Sequence, residues 1–221
     1  MPAPRFAIFC DFDGTIARRD VGYHMYHHFS NGENEKLIPE WKSGALSTRE
    51  CMTIESGMVH TTPQEFYAYI DTHELDPTFA PFAARCREQE LPLTVISDGL
   101  DLYIIRLFQK FEIPPLPLIA NRGELIDGGL KVTFPYPDPH NTGGGVCKGD
   151  RIREFRQKHD PITVIFVGDG LSDIGAIDQT DLLFAKKDLA RYCDRQNIPY
   201  NAFNSFAEVA RELVARGVLK A

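Results

Sequence analysis

The 221-residue chain has a net charge of -7, a hydrophobic fraction of 43% and no basic run, a balance that supports a sizeable core and argues against nucleic acid or an anionic membrane as the main partner. No stretch approaches the ~20 apolar residues of a membrane span, and the opening residues are too short and polar for a signal peptide. The cysteines (Cys10, Cys51, Cys86, Cys147, Cys193) are odd in number and scattered, without zinc-ligand or CxxC spacing, which fits reduced core thiols in a cytoplasmic protein.

The first strand is expected at Phe6–Cys10, a run apolar enough to be buried on both faces. It leads into Asp11-Phe12-Asp13-Gly14-Thr15. Side chains alternate along a strand, so Asp11 and Asp13 point the same way and repel unless something positive sits between them. A hard divalent cation such as Mg²⁺ suits two carboxylates, and an acidic turn at a strand end is the plain alternative. About sixty residues then pass before the next strand-like run, far more than a crossover helix needs. The segment from Asp20 to Asp76 therefore reads as an inserted helical subdomain. Ser47–Glu50 and Thr62–Glu65 are capping boxes, the second with Pro63 at the first helical position. Phe66, Tyr69 and Ile70 form a stripe, and Met25, Tyr26, Phe29, Leu37, Ile38, Trp41, Met52 and Met58 are candidates for a small helical core. His24, His27 and His28 have a spacing that could bind metal, but no partner motif accompanies them.

Beyond the insert, Thr78–Glu90 reads as a helix and Leu93–Ile96 as a second buried strand ending in Ser97-Asp98-Gly99. Asp101–Phe111 is expected to be a helix with Ile104, Ile105 and Phe108 inward. A short strand at Leu116–Ala120 and a hairpin over Gly123–Phe134, turning at Asp127-Gly128, come next. Pro135–Gly145 is a Pro- and Gly-rich loop. Lys148–Lys158 is a charged helix. Ile162–Val167 is a third buried strand, ending in Gly168-Asp169-Gly-Leu-Ser-Asp173. Leu182–Ala185 is a further candidate strand, and a last helix starts at Ser205, with Ser205–Glu208 as its capping box, and runs toward Arg216.

Strands alternating with helices imply a parallel, doubly wound α/β sheet. The carboxyl ends of its strands share one edge, where ligands bind. Asp11, Asp13, Ser97, Asp169 and Asp173 would then converge, which favours chemistry over turn capping. Asp11, last on its strand, is the candidate nucleophile, and Asp13 the candidate acid and base. A metal on Asp11, the Asp13 backbone carbonyl and Asp169 would shield a negative electrophile from a negative nucleophile. Ser97 and the backbone N–H groups of Asp98 and Gly99 are candidate phosphate donors, joined by Lys148 at a helix start. Together these residues describe a phosphoryl-transfer site.

Asp11-Phe-Asp-Gly-Thr15, Ser97, Lys148 and Gly168-Asp-Gly-Leu-Ser-Asp173 resemble, in order, the four motifs of the haloacid dehalogenase superfamily. Within its phosphoserine phosphatase-like branch, Val95–Asp101 and Val146–Gly149 resemble the methionine-salvage phosphatases of 2-hydroxy-3-keto-5-methylthiopentenyl-1-phosphate. The resemblance implies a catalytic core over residues 1–18 and 77–221, with a helical cap at 19–76. It implies a phosphatase acting on a small phosphate ester through an aspartyl-phosphate on Asp11. It further implies Mg²⁺ as cofactor, Asp169 as metal ligand and Asp173 close behind. Asp20 falls where phosphoserine phosphatases carry a substrate-reading glutamate. Their carboxylate-reading arginine would fall near Thr53, and Arg49 lies a turn away. A phosphomutase using the same intermediate is the runner-up. A phospho-receiver domain, lacking any need for Asp13 or the insert, comes third.

Overall fold

The computed structural model describes residues 6–138 and 143–220. The opening residues and positions 139–142 of the Pro- and Gly-rich loop lie outside the described residues. In chain order the strands are β1 (Phe6–Cys10), β2 (Leu93–Leu100), β3 (Leu118–Ile126), β4 (Gly129–Thr133), β5 (Thr163–Gly168), β6 (Leu182–Ala185) and β7 (Asn201–Ala202). The helices are α1 (Val21–Phe29), α2 (Ile38–Ser43), α3 (Thr48–Gly57), α4 (Pro63–Ile70), α5 (Phe79–Glu88), α6 (Asp101–Lys110), α7 (Lys148–His159), α8 (Lys187–Gln196) and α9 (Phe206–Ala215). Turns of 3-10 helix occupy Glu33–Leu37 and Leu171–Gln179.

The strands form one sheet in the order β4-β3-β2-β1-β5-β6-β7. Every pairing is parallel except the antiparallel β3–β4 hairpin. β1 is central because it is apolar on both faces. Ile8 and Cys10 pack in one layer with Phe79, Ile104 and Phe206, while Ala7 and Phe9 pack in the other with Ile152 and Leu189. The strand order runs outward in both directions from the β1–β5 pair, so the crossovers part there and leave a crevice at the strand ends. The Asp11 amide donates to the Val167 carbonyl at 2.9 Å, which fixes the ends of β1 and β5 side by side.

Helices α1 to α4 all lie between β1 and β2. The chain leaves and returns along one antiparallel contact: Ala17 bridges Leu75, and Asp76 N–H donates to the Ile16 carbonyl at 2.8 Å. Aromatic contacts tie α1 to α4, with His28 stacked on Tyr69 at 3.9 Å between ring centroids. The β3–β4 hairpin reaches this segment as well: Thr61 N–H donates to the Gly128 carbonyl at 2.9 Å.

Several local expectations changed in the fold. The short strand and the first arm of the hairpin are one strand, β3, parallel to β2 at its start and antiparallel to β4 at its end. On α6 the buried stripe is Tyr103, Ile104, Leu107 and Phe108, whereas Ile105 is 46% exposed. Ile105 belongs to the next turn face, 100° from Ile104 on a 3.6-residue helix. Trp41 is on the surface, donating its indole N–H to Thr48. Ser205 makes no side-chain cap, because Asp76 and Thr78 take the Phe206 and Ala207 amides of α9 instead. Helix α8, with Leu189 and Cys193 buried four residues apart, had no counterpart in the sequence reading.

Candidate active site

Three buried carboxylates meet at the ends of β1 and β5. Asp11, Asp169 and Asp173 each offer an oxygen within 4.8 Å of the others. Asp11 follows the last residue of β1 and Asp169 the last of β5. Asp173 folds back under them: its Oδ2 accepts from the Asp169 and Gly170 amides at 2.9 and 3.0 Å. These bonds shape the loop after β5, while the other oxygen faces the cluster.

Lys148, in the first turn of α7, reaches into the cluster. Its side chain is fully buried, with Nζ 2.6 Å from Asp11 Oδ1 and 2.5 Å from Asp173 Oδ1. Burial works against its charge, but Asp11, Asp173 and Asp98 outweigh burial and hold its pKa well above the usual lysine value. Burial pushes Asp11 up, against the pull of Lys148, and Asp173 and Asp169 add to the rise. Asp169 is also raised, again first by burial, although Lys187 opposes it. Lys148 pairs with Asp11 and Asp173, and Lys187 with Asp169 Oδ2 at 2.9 Å. Clustered carboxylate oxygens are the donor set that a hard divalent cation takes, so the residues present fit one.

Asp13 stands apart from this cluster, although it is on the same strand end. Its Oδ1 accepts from the Val21 amide at 2.7 Å and the Gly22 amide at 3.4 Å, at the start of α1. Its Oδ2 accepts from the Tyr103 hydroxyl at 2.6 Å. Burial, and then the nearby charge of Asp20, push its pKa up to about 7 against those hydrogen bonds. That value suits a group that gives and takes a proton near neutral pH.

Ser97 is buried, and its Oγ accepts from the Gly99 amide at 2.9 Å. The Asp98 carboxylate accepts from Val146 N–H at 2.5 Å, and its carbonyl accepts from Asn121 at 2.6 Å. Asp98 thereby fastens the segment that delivers Lys148. Asp20 is exposed and caps α1, accepting from Tyr23 N–H at 2.7 Å. Arg49 is committed to backbone: its guanidinium donates to the carbonyls of Gly144 at 2.8 Å and Tyr136 at 2.7 Å and lies over the Phe134 ring.

Three contributors escaped the sequence reading. In the sequence Tyr103 carries no signal beyond its place in a helix. Thr15, quoted within its motif but given no role, donates to Asp169 Oδ1 at 3.1 Å. Lys187 donates to Asp169 Oδ2 at 2.9 Å and to the Gly14 carbonyl at 2.7 Å. Lys186 and Lys187 directly follow β6, and that strand-end position was the available signal.

Residues 8–178 match the family model of haloacid dehalogenase-like hydrolases. The chain is 28% identical over 215 residues to the 2-hydroxy-3-keto-5-methylthiopentenyl-1-phosphate phosphatase of Brevibacillus brevis, covering 95% of each chain. It is 30% identical over 210 residues to the enzyme of that name from Bacillus thuringiensis, covering 93% of this chain and 94% of that one. Pdp3-interacting factor 1 of Schizosaccharomyces pombe is 28% identical over 217 residues, with 93% of each chain covered. Among solved structures, a phospho-aspartyl intermediate analogue of phosphoserine phosphatase superposes with a TM-score of 0.67 at 18% identity, covering 96% of this chain and 98% of that one.

Proposed function

The chain belongs to the haloacid dehalogenase-like hydrolases, and we propose that it is a metal-dependent phosphatase of small phosphate monoesters that works through an aspartyl-phosphate on Asp11. The observation that carries this reading is the buried cluster of Asp11, Asp169 and Asp173 around Lys148, with Asp13 beside it. In the first half-reaction an Asp11 oxygen attacks phosphorus and the ester P–O bond breaks. The leaving oxygen takes the proton of Asp13. In the second, Asp13 as carboxylate takes a proton from water, whose oxygen attacks phosphorus and releases Asp11 and inorganic phosphate. Lys148 keeps Asp11 oriented and adds positive charge, and Ser97 with the amides beyond it supplies phosphate donors. Asp11, Asp169 and the Asp13 carbonyl would hold a divalent ion, read as Mg²⁺, with Asp173 behind them. When bound, such an ion neutralises charge between nucleophile and phosphoryl oxygens.

The helical insert, residues 19–76, acts in this reading as a cap that selects the leaving group. Arg49 is saturated by carbonyls, and Asp20 places a negative charge near Asp13. A leaving group with its own carboxylate would be repelled there and left unpaired. Neutral or cationic esters are therefore the proposed substrate class. The relatives named as phosphatases of a hydroxy-keto ester agree with this choice.

The test is a panel of phosphate esters assayed with Mg²⁺ and, after dialysis, in excess chelator. Hydrolysis is expected only with the metal, and Asp11→Asn should lose several orders of magnitude in rate. Full activity in chelator, or more than about a tenth of the wild-type rate in folded Asp11→Asn, would refute the mechanism. Phosphoserine as the best substrate would refute the leaving-group argument alone.

A further inference from the structure

We propose that Tyr103 is the positioning residue for the acid and base Asp13, fixing which carboxyl oxygen carries the proton; this rests on the reading of Asp13 given above. Tyr103 lies in the first turn of α6, directly after the strand that bears Ser97. Its side chain is fully buried, and its hydroxyl meets Asp13 Oδ2 at 2.6 Å. The contact is built into the backbone on two sides. A Cβ placed on Gly99 would lie 1.8 Å from the Tyr103 hydroxyl oxygen and 2.5 Å from Asp13 Oδ2. A Cβ on Gly22 would lie 3.1 Å from the same hydroxyl. Two glycines, one from β2 and one from α1, thus leave a slot that the phenol oxygen fills.

The geometry divides the two oxygens of Asp13. Oδ1 is held by two backbone amides and is restricted to accepting. Oδ2 is left to carry the transferable proton, and the hydroxyl occupies one of its lone pairs, which sets the direction of the other. In the first half-reaction the O–H bond at Oδ2 breaks as the proton passes to the leaving oxygen. In the second, Oδ2 receives a proton from water. The Tyr103 hydroxyl is a buried donor to this oxygen, and its proton stays on the phenol throughout. Without this contact Asp13 could rotate away, and misplacement of a reacting group by about 1 Å costs on the order of 10²-fold.

Tyr103→Phe tests the assignment, because it removes one oxygen and keeps the ring. The readout is kcat/KM, which reports the first half-reaction alone, beside kcat, on two esters: 4-nitrophenyl phosphate, whose leaving group needs no protonation, and a primary alkyl phosphate, whose leaving group does. In kcat/KM the alkyl ester is expected to lose about ten- to hundredfold and the nitrophenyl ester a few-fold at most, while kcat, which includes the shared second half-reaction, falls for both. In an Asp13→Asn background the same substitution is expected to cost almost nothing, since Tyr103 acts only through Asp13. Equal losses of kcat/KM on the two esters, no loss on the alkyl ester, or full additivity with Asp13→Asn would overturn the positioning role. An Asp13→Asn enzyme that hydrolyses the alkyl ester at the full rate would instead overturn the reading of Asp13 itself. A melting curve of Tyr103→Phe that matches wild type supports the split, as a variant that lost its fold would lose both esters alike.

Discussion

Lys148→Met isolates the counter-charge of the acidic cluster from the rest of the site. Methionine keeps an unbranched stem of similar length and fills the same channel without charge. It leaves Asp11 and Asp173, 4% and 0% exposed, facing each other with no cation between them. Breaking a buried ion pair by removing one partner typically costs about 3–5 kcal/mol. A second route sets an upper limit of similar size, since burial already raises Asp11 in the wild type. The variant can relieve the repulsion by keeping one carboxyl protonated, and holding a proton at pH 7 on a group with an ordinary pKa of about 3.9 costs about 4 kcal/mol. That group binds a proton in the folded state and not in the unfolded one at neutral pH. The penalty therefore grows as pH rises above about 3.9 and shrinks as it falls, to about 1.5 kcal/mol at pH 5. For a chain of this length each kcal/mol moves the melting temperature by about 2–4 °C. In chelator at pH 7 the variant should melt roughly 8–16 °C below wild type, and the gap should close by more than half at pH 5. Saturating Mg²⁺ should narrow the gap at pH 7, because the ion supplies the missing charge. Thermal unfolding followed by circular dichroism reads all three. A variant as stable as wild type at pH 7 in chelator, or a gap that does not depend on pH, would refute the role given to Lys148.

Asp169→Ala is expected to weaken Mg²⁺ binding more than about tenfold in a calorimetric titration while the far-ultraviolet spectrum stays native; unchanged affinity would remove Asp169 from the ligand set. Glu55 predicts a second, separate pH effect, inside the helical insert. It is buried on α3 with Asn34 as a donor at 3.2 Å, and burial pushes its pKa up to about 7. Its folded pKa exceeds the unfolded value, so stability falls as pH rises from about 4.5 to 7, by about 3 kcal/mol at most. Glu55→Gln should therefore melt above wild type at pH 8 and match it at pH 4. Equal curves at both values would show that Glu55 ionises freely.

The parts of this molecule that were legible in the sequence are those whose cause is local. The apolar runs ending in Asp11, Ser97 and Asp169 mark strands buried on both faces, because only such strands carry no polar alternation. The acids at their ends converge because parallel strands share a direction. Lys148 was legible as a helix-start cation, though its full burial was not. Illegible features arose wherever a distant partner overrode a local signal. Ser205–Glu208 has the letters of a capping box, yet Asp76 and Thr78, about 130 residues earlier, hold the amides. Asn121 and Arg122 broke the apolar run and hid the continuity of β3, since its second half leaves the core to pair with β4 alone. Helix α8 buries a narrow stripe, Leu189 and Cys193, among many charges, so its period is sharp but its apolar content is too low to mark it as a core element. Arg49 shows how a distant partner adds to what the sequence says about specificity. It is a cationic side chain on the insert, close to where a carboxylate reader would be expected. Its acceptors at Tyr136 and Gly144 lie 87 and 95 residues away. A guanidinium already bonded to two carbonyls gains little by turning to a substrate, because each carbonyl it left would be unpaired. Arg49 lies a turn from the expected position in the sequence and is bonded to backbone in the fold, and both facts argue against an amino-acid phosphate.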